Sequence, residues 1–445
     1  MGVVKPNSIS TPIWIVILLL IASILYVLWN DQNSIFLCWL FTFFNGIILV
    51  HAVLFKMTQR HFFSLVNIAN FFLFFVFVVR AIQILLTSNP ESDIYAISLY
   101  NNYMQTCMFS DLPIAQAAFI GLLGCGFLNL SFFLSPIKNA TEHVAMNVNE
   151  PKSFNTTQTT NVLFILLISS FSVASYCIQI FRNQPVHMIN IIWIYLFSLV
   201  IVYIIYEKKN PNWLVYFLIG LSIFLFSFVG KRQYVVNLLI CYIIPLYYVG
   251  TNRKKIMRKI FFMTITLLLV VWFYGIIRLQ MLGGKSSNMF YLELLNEFCM
   301  FDMLVVSLKY FNSFITDYFW GYNYLTVFTL PIPGFSITSF DHLLTNMVLH
   351  GAFHGGIPVT LFGSLFFNFS YMGLIIGVCF CGTFLRYLEG LFIQMNCLKD
   401  VMFFTIWATF VYDLIRVGNL GREIWTLLMM FLVAKFFLVV TQKNR

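Results

Sequence analysis

The chain has 445 residues, of which 60% are hydrophobic and only 9% charged, with a mean hydropathy of +0.87 and a formal net charge of +10. That is far too little polar surface to cover a soluble globule, so the composition excludes a water-soluble enzyme and describes a polytopic membrane protein. The basic residues lie in short clusters between apolar runs, as the positive-inside rule produces them, which removes nucleic acid as a partner.

A helix needs roughly 20 mainly apolar residues to cross a hydrocarbon core about 30 Å thick. In chain order, twelve stretches qualify: Pro12–Trp29, Ser34–Phe55, Phe62–Leu86, Pro113–Leu134, Val162–Phe181, Met188–Tyr206, Trp213–Val229, Tyr234–Val249, Ile260–Ile277, Thr360–Phe384, Val401–Ile415 and Ile424–Val440. No small-residue cleavage site follows the first, so it is expected to be a retained span rather than a signal peptide. The loop from Ser135 to Asn161, rich in Asn and Thr, reads as a flexible connection between two halves of the bundle.

Starting the chain in the cytoplasm places sixteen of the 26 Lys and Arg residues in inner segments, so both termini are expected inside. The exceptions are more informative. Lys435 lies in the last span, while Arg80, Arg182, Lys231, Arg232, Arg278, Lys285, Lys309, Arg416 and Arg422 fall outside or at outer helix ends. Any one of them alone reads as a side chain snorkelling at a helix end. Together they read as a cationic ring around an external cavity. Arg80 is the sharpest case, because apolar residues flank it inside the third span, where an ionisable group faces protein or a water-filled cavity. An ion pair with an acid that the sequence does not identify is the alternative reading.

The expected fold class is therefore all-α, a polytopic transmembrane bundle of about 12 spans with one large, partly helical extracytoplasmic loop. The chain divides into nine spans over 1–277, the loop over 278–356 and three spans over 357–445, all within one membrane domain. In the loop, apolar residues at near-helical spacing predict an amphipathic helix from Met289 to Phe311. Trp320, Tyr322 and Tyr324 follow, as interfacial anchors or as a stacking surface for sugars. After a turn at Pro331, Pro333 and Gly334, a short helix is predicted from Asp341 to His350. His350 and His354 are four apart, but Gly351, Gly355 and Gly356 break a helix there and no HExxH pattern is present, so no metal site is expected. With Asp302, these histidines are the candidate general bases.

This layout resembles the bacterial oligosaccharide repeat unit polymerases, the Wzy-type O-antigen and capsule polymerases. The resemblance rests on the single dominant late loop, on Gly230-Lys231-Arg232 opening the eighth span, and on the exit of the ninth at Arg278. It rests also on the stretch from Leu361 through Phe367-Asn368-Phe369 to Gly373, and on Leu414-Ile415-Arg416-Val417-Gly418 between the last two spans. Ser364 stands where the family commonly has an acidic residue. The resemblance implies a membrane glycosyltransferase with a GT-C-like fold in the bacterial cytoplasmic (inner) membrane. Its active site would lie on the outer face. It would polymerise undecaprenyl-pyrophosphate-linked repeat units by metal-independent, inverting transfer, with no cofactor, for O-antigen, common antigen or capsule synthesis. A chain-length regulator and a flippase are the protein partners it implies.

The chemistry of the residues points the same way. Guanidinium groups grip phosphate oxygens bidentately and stay charged, which suits a departing pyrophosphate. Arg232 and Arg278 are the first candidates, followed by Arg80, Lys231, Arg416 and Arg422, with Arg278 also counted among the catalytic residues. Two alternatives stay open, a lipid-linked oligosaccharide flippase or carrier and an O-antigen ligase. A carrier favours charges near the bilayer midplane and two similar halves; here the charges gather at outer ends. Polymerase and ligase are not separated by sequence.

Overall fold

The computed structural model describes residues 10–58, 63–86, 112–135, 156–182, 188–208, 213–228, 232–249, 256–258, 260–261, 300–314, 317–329, 340–349, 358–392 and 397–442. Every regular element among them is helical. The order is α1 (Ser10–Trp29), α2 (Ile35–Thr58), α3 (Leu65–Phe74), a π-helical turn (Phe75–Val79), α4 (Arg80–Leu86), α5 (Ile114–Leu134), α6 (Thr156–Phe181), α7 (Met188–Lys208), α8 (Trp213–Phe228) and α9 (Arg232–Val249). Then come α10 (Met300–Phe314), a 3-10 turn (Tyr322–Leu325), α11 (Thr326–Thr329), α12 (Phe340–Leu349), α13 (Thr360–Leu391), α14 (Leu398–Val417) and α15 (Leu420–Gln442). Each predicted span coincides with a helix except Ile260–Ile277, nearly all of which lies outside the described residues. Six described helices are long and apolar enough to cross a membrane: Pro12–Trp29, Ile35–Leu54, Leu65–Leu86, Ile114–Leu134, Asn190–Glu207 and Thr360–Leu391. The chain is thus helical, with several helices of membrane-spanning length.

Two compact units make up the chain. The first comprises residues 1–140, 295–391 and 411–424; the second comprises 141–294, 392–410 and 425–445. In the second, α6 to α9 pack together, and the Asn190 amide on α7 donates to Gln179 Oε1 on α6 at 3.0 Å. Tyr176, Phe226 and Tyr234 form an aromatic cluster within it.

The centre of the first unit is α5, against which α1, α2 and α13 pack. Lipid is as apolar as leucine, so helices associate there through close van der Waals contact and interhelical hydrogen bonds. Both devices are present. Gly121 lies under the Phe77 ring and Gly124 under the Phe362 ring, while Gly382 of α13 lies against the Leu128 carbonyl and Ser131 of α5. Asn70 and Asn129, both fully buried, exchange amide hydrogen bonds at 2.8 and 3.0 Å between α3 and α5. Ser64 caps α3 by accepting from the Asn67 N–H.

The tenth predicted span, Thr360–Phe384, differs in detail. The helix continues to Leu391 but is broken at Phe369 (φ −140°, ψ 17°) and Ser370 (φ 63°, ψ −167°). From Tyr371 onward it is already about 30 Å long, enough to cross a bilayer alone. Residues Thr360–Asn368 instead form a short helix buried on every face. Hydropathy alone merges the two pieces, because both are apolar.

Candidate functional site

Five residues with a backbone in the left-handed region lie at the two ends of the short helix Thr360–Asn368: Trp320 (φ 51°), Gly321 (φ 77°) and Ser370 (φ 63°) at the break, and Thr360 (φ 66°) and Gly418 (φ 72°) at its start. For Trp and Thr this region is strongly disfavoured, and such strain persists only where surrounding structure enforces it, most often at functional positions. The enforcing contacts are visible. The break frees the carbonyls of Phe367 and Asn368, and the arm from Asp317 to Thr329 supplies their donors. Phe319 N–H donates to Phe367 O at 3.1 Å and Trp320 N–H to Asn368 O at 2.9 Å. Tyr324 of the arm stacks on Phe369 with centroids 5.8 Å apart, and its hydroxyl lies 3.3 Å from Ser364 Oγ.

At the other end of the short helix, the Thr360 hydroxyl accepts from Gly363 N–H, and Gly418 sits on the Thr360 carbonyl so closely that no Cβ fits. Gly418 joins α14 to α15, which holds Arg416 and Arg422 on either side of this turn. Arg422 donates twice to Glu423 Oε1, at 2.9 and 2.8 Å; it is 43% exposed and Glu423 1%. Arg416 is half-buried with its guanidinium 6.0 Å from the Tyr412 ring centre. Inside the short helix, Asn368 Nδ2 donates to Ser364 O at 2.8 Å, while its buried Oδ1 has no hydrogen-bond partner. Such an orphan acceptor is costly unless a ligand or water satisfies it.

Burial pushes the Tyr324 phenol up to about 12, against the opposing effect of the Ser364 hydrogen bond. A raised folded value means that the stability this phenol contributes is fully present below pH 10 and is lost as pH rises towards about 12. Tyr324 is therefore a neutral hydrogen-bonding group under all physiological conditions. In an alkaline spectrophotometric titration, Tyr324→Phe is expected to remove one of the late-titrating phenols; loss of an early one would overturn the assignment.

The structure identifies the acid opposite Arg80. Arg80 Nε lies 3.0 and 3.2 Å from the two oxygens of Asp302, Nη2 lies 2.5 Å from Oδ2, and Nη1 donates to Gln83 Oε1 at 2.7 Å. Both side chains of the pair are 0% exposed. The π-helical turn aims the arginine: the Arg80 N–H reaches back five residues to Phe75 O. One extra residue rotates everything that follows by about 100°. Asp302 opens the first turn of α10, the described part of the predicted Met289–Phe311 helix.

Of the other predicted site residues, Lys231, Arg278, His350 and His354 lie outside the described residues, and Arg232 opens α9 in the second unit. Sequence reasoning gives Tyr324 as an interfacial anchor or sugar-stacking residue and Ser364 as the place where the resembled family commonly has an acid; Asn368 enters only as part of the stretch from Leu361 to Gly373, and Glu423 carries no signal. No protein-family model, no curated protein and no solved structure matches this chain.

Proposed function

We propose that this chain is a membrane glycosyltransferase that polymerises undecaprenyl-pyrophosphate-linked oligosaccharide repeat units on the outer face of the bacterial cytoplasmic membrane. The observation that carries this reading is the convergence of three separate stretches: the late-loop arm, the short buried helix from Thr360 and the turn after Arg416. Two of these three are stretches on which the family resemblance rests. They meet around Ser364, whose hydroxyl faces that of Tyr324 and whose Cβ lies against Gly418; the orphan acceptor of Asn368 is one helical turn further on, and Arg416 and Arg422 flank Gly418 in sequence.

In this reading, the acceptor hydroxyl attacks C1 of the donor's first sugar from the face opposite the pyrophosphate, and the C1–oxygen bond breaks with inversion. The acceptor proton passes to a base, a role we assign to His350 or His354, since both oxygens of Asp302 hold Arg80. The electron pair leaves with the pyrophosphate, whose charge is met by Arg416 and Arg422. Asn368 Oδ1 accepts from a sugar hydroxyl.

The test is a gel of surface glycan from cells that lack the protein. The expected result is loss of the long-chain ladder with single repeat units still capped onto their final acceptor. Restoring the protein as Arg278→Ala, Arg416→Ala or Asn368→Ala at normal levels is expected to leave the ladder shortened or absent. If no repeat unit reaches the outer face, the chain is a flippase. If polymer accumulates on its lipid carrier without transfer to the final acceptor, it is a ligase.

A further inference from the structure

A second polar assembly lies away from the arginines, at the start of α5. Asn312 of α10 donates through one amide nitrogen to Gln116 Oε1 at 2.8 Å and to Gln32 Oε1 at 3.0 Å. Gln116 bonds the Tyr371 hydroxyl, which donates to Tyr26 Oη at 3.3 Å. The Gln32 carbonyl accepts from the N–H groups of Ala115 and Gln116 and so pins the α1–α2 turn to α5. Gln116 is buried, whereas Gln32 and Asn312 are exposed. With those atoms committed, Asn312 Oδ1 is left as an acceptor and Gln32 Nε2 as a donor on two exposed side chains joined by a hydrogen bond.

An aromatic path runs from this assembly to the surface. Tyr371 packs on Phe366 (4.9 Å between centroids), Phe366 on Tyr318 (6.0 Å) and Tyr318 on Trp320 (6.4 Å), whose indole is 72% exposed. On its other side, Tyr371 forms the upper wall of a cavity of about 300 Å³ lined by Leu19, Ser23, Phe119, Leu123, Phe127 and Ile375. This is the size of a small ligand pocket, and its lining is almost wholly apolar. Val16 and Leu20, on its rim, are exposed on the lipid-facing side of α1.

We propose that this groove binds an amphiphile with a hydrocarbon chain in the cavity and a neutral sugar head on the Gln32–Asn312 pair and the Trp320 face. The head is a sugar rather than a phosphate because the pair is neutral and Asp31 and Asp317, beside Gln32 and near Trp320 in sequence, are exposed acids that repel phosphate and accept from hydroxyls. Lys309, one helical turn before Asn312, has an interaction of its own within the fold. Neutral amide groups that offer both a donor and an acceptor suit sugar hydroxyls, and an indole face suits the C–H face of a pyranose. The inference is independent of the polymerase reading, since a lipid whose sugar is joined to its chain without a phosphate is neither the donor nor the acceptor of that reaction.

The test is photolabelling of the full-length protein in nanodiscs with a diazirine-tagged alkyl maltoside. Label is expected in Val16–Ser23, Phe119–Leu130 or Tyr371–Ile375, competed by unlabelled alkyl maltoside and much less by an alkylphosphocholine of equal chain length. Asn312→Leu and Trp320→Ala, at exposed positions where folding is retained, are each expected to weaken labelling about fivefold, the change that goes with one hydrogen bond. Equal competition by the phosphocholine makes this a plain acyl-chain groove and overturns the proposal, as does labelling that neither variant changes. Because binding needs no turnover, selective labelling in a protein whose deletion spares the glycan ladder sinks the polymerase reading alone. A lost ladder without sugar-selective labelling sinks this site alone.

Discussion

Asp302→Asn is expected to be the most damaging conservative substitution in the protein, costing about 3–5 kcal/mol. The carboxylate and the Arg80 guanidinium are both fully buried, and three nitrogen–oxygen contacts of 2.5 to 3.2 Å join them. Removing one charge leaves the other stranded in a medium that cannot solvate it. Arg80→Met with Asp302→Leu removes both charges and keeps the volume, so the double variant is expected to recover most of the loss. Thermal unfolding in detergent, followed by size-exclusion chromatography, reads the comparison. A wild-type midpoint for Asp302→Asn would show that the pair does not hold the first unit together. The surface-glycan gel then separates two roles: a stable double variant with a full ladder makes the pair structural, and a stable variant without one gives the Arg80–Asp302 pair a part in the reaction.

Gly382→Val is expected to cost at least about 3 kcal/mol, the upper end for overpacking. A Cβ at this position runs into the Leu128 carbonyl as well as the Ser131 hydroxyl. Backbone cannot rotate away as a side-chain tip can, so α13 must lift off α5 along the main seam of the first unit. Gly220 in α8 is the internal control: nothing lies within 4 Å of a Cβ there, so Gly220→Ala is expected to be neutral or stabilising by up to about 1 kcal/mol through helix propensity. The same unfolding measurement ranks the two. Equal midpoints would mean that the α5–α13 seam is looser than its geometry states.

Much of the helix layout was legible because the period of a membrane helix is simple and its composition extreme. The Asp341–His350 prediction matches α12 within a residue at each end, and Met300–Phe314 continues the predicted loop helix. Arg80 was recognisable as misplaced because charge inside a span is expensive, but its partner is 222 residues away, and no local pattern reports such a pairing. The break at Phe369–Ser370 was hidden for a related reason. Its freed carbonyls are satisfied by Phe319 and Trp320, a long-range compensation that leaves the local sequence apolar enough to read as one span.

The sequence by itself determined that this is a helical membrane protein, roughly where its helices begin and end, and which charges break the pattern. Those properties follow from transfer free energies summed along the chain. Only the tertiary structure decided which polar groups meet. Asp302 reaches Arg80, Ser364 reaches Tyr324, and Asn312 reaches Gln32 and Gln116, each through side-chain contacts between elements distant in sequence. A buried polar group must find its partner wherever the fold brings one, and hydropathy carries no record of that place.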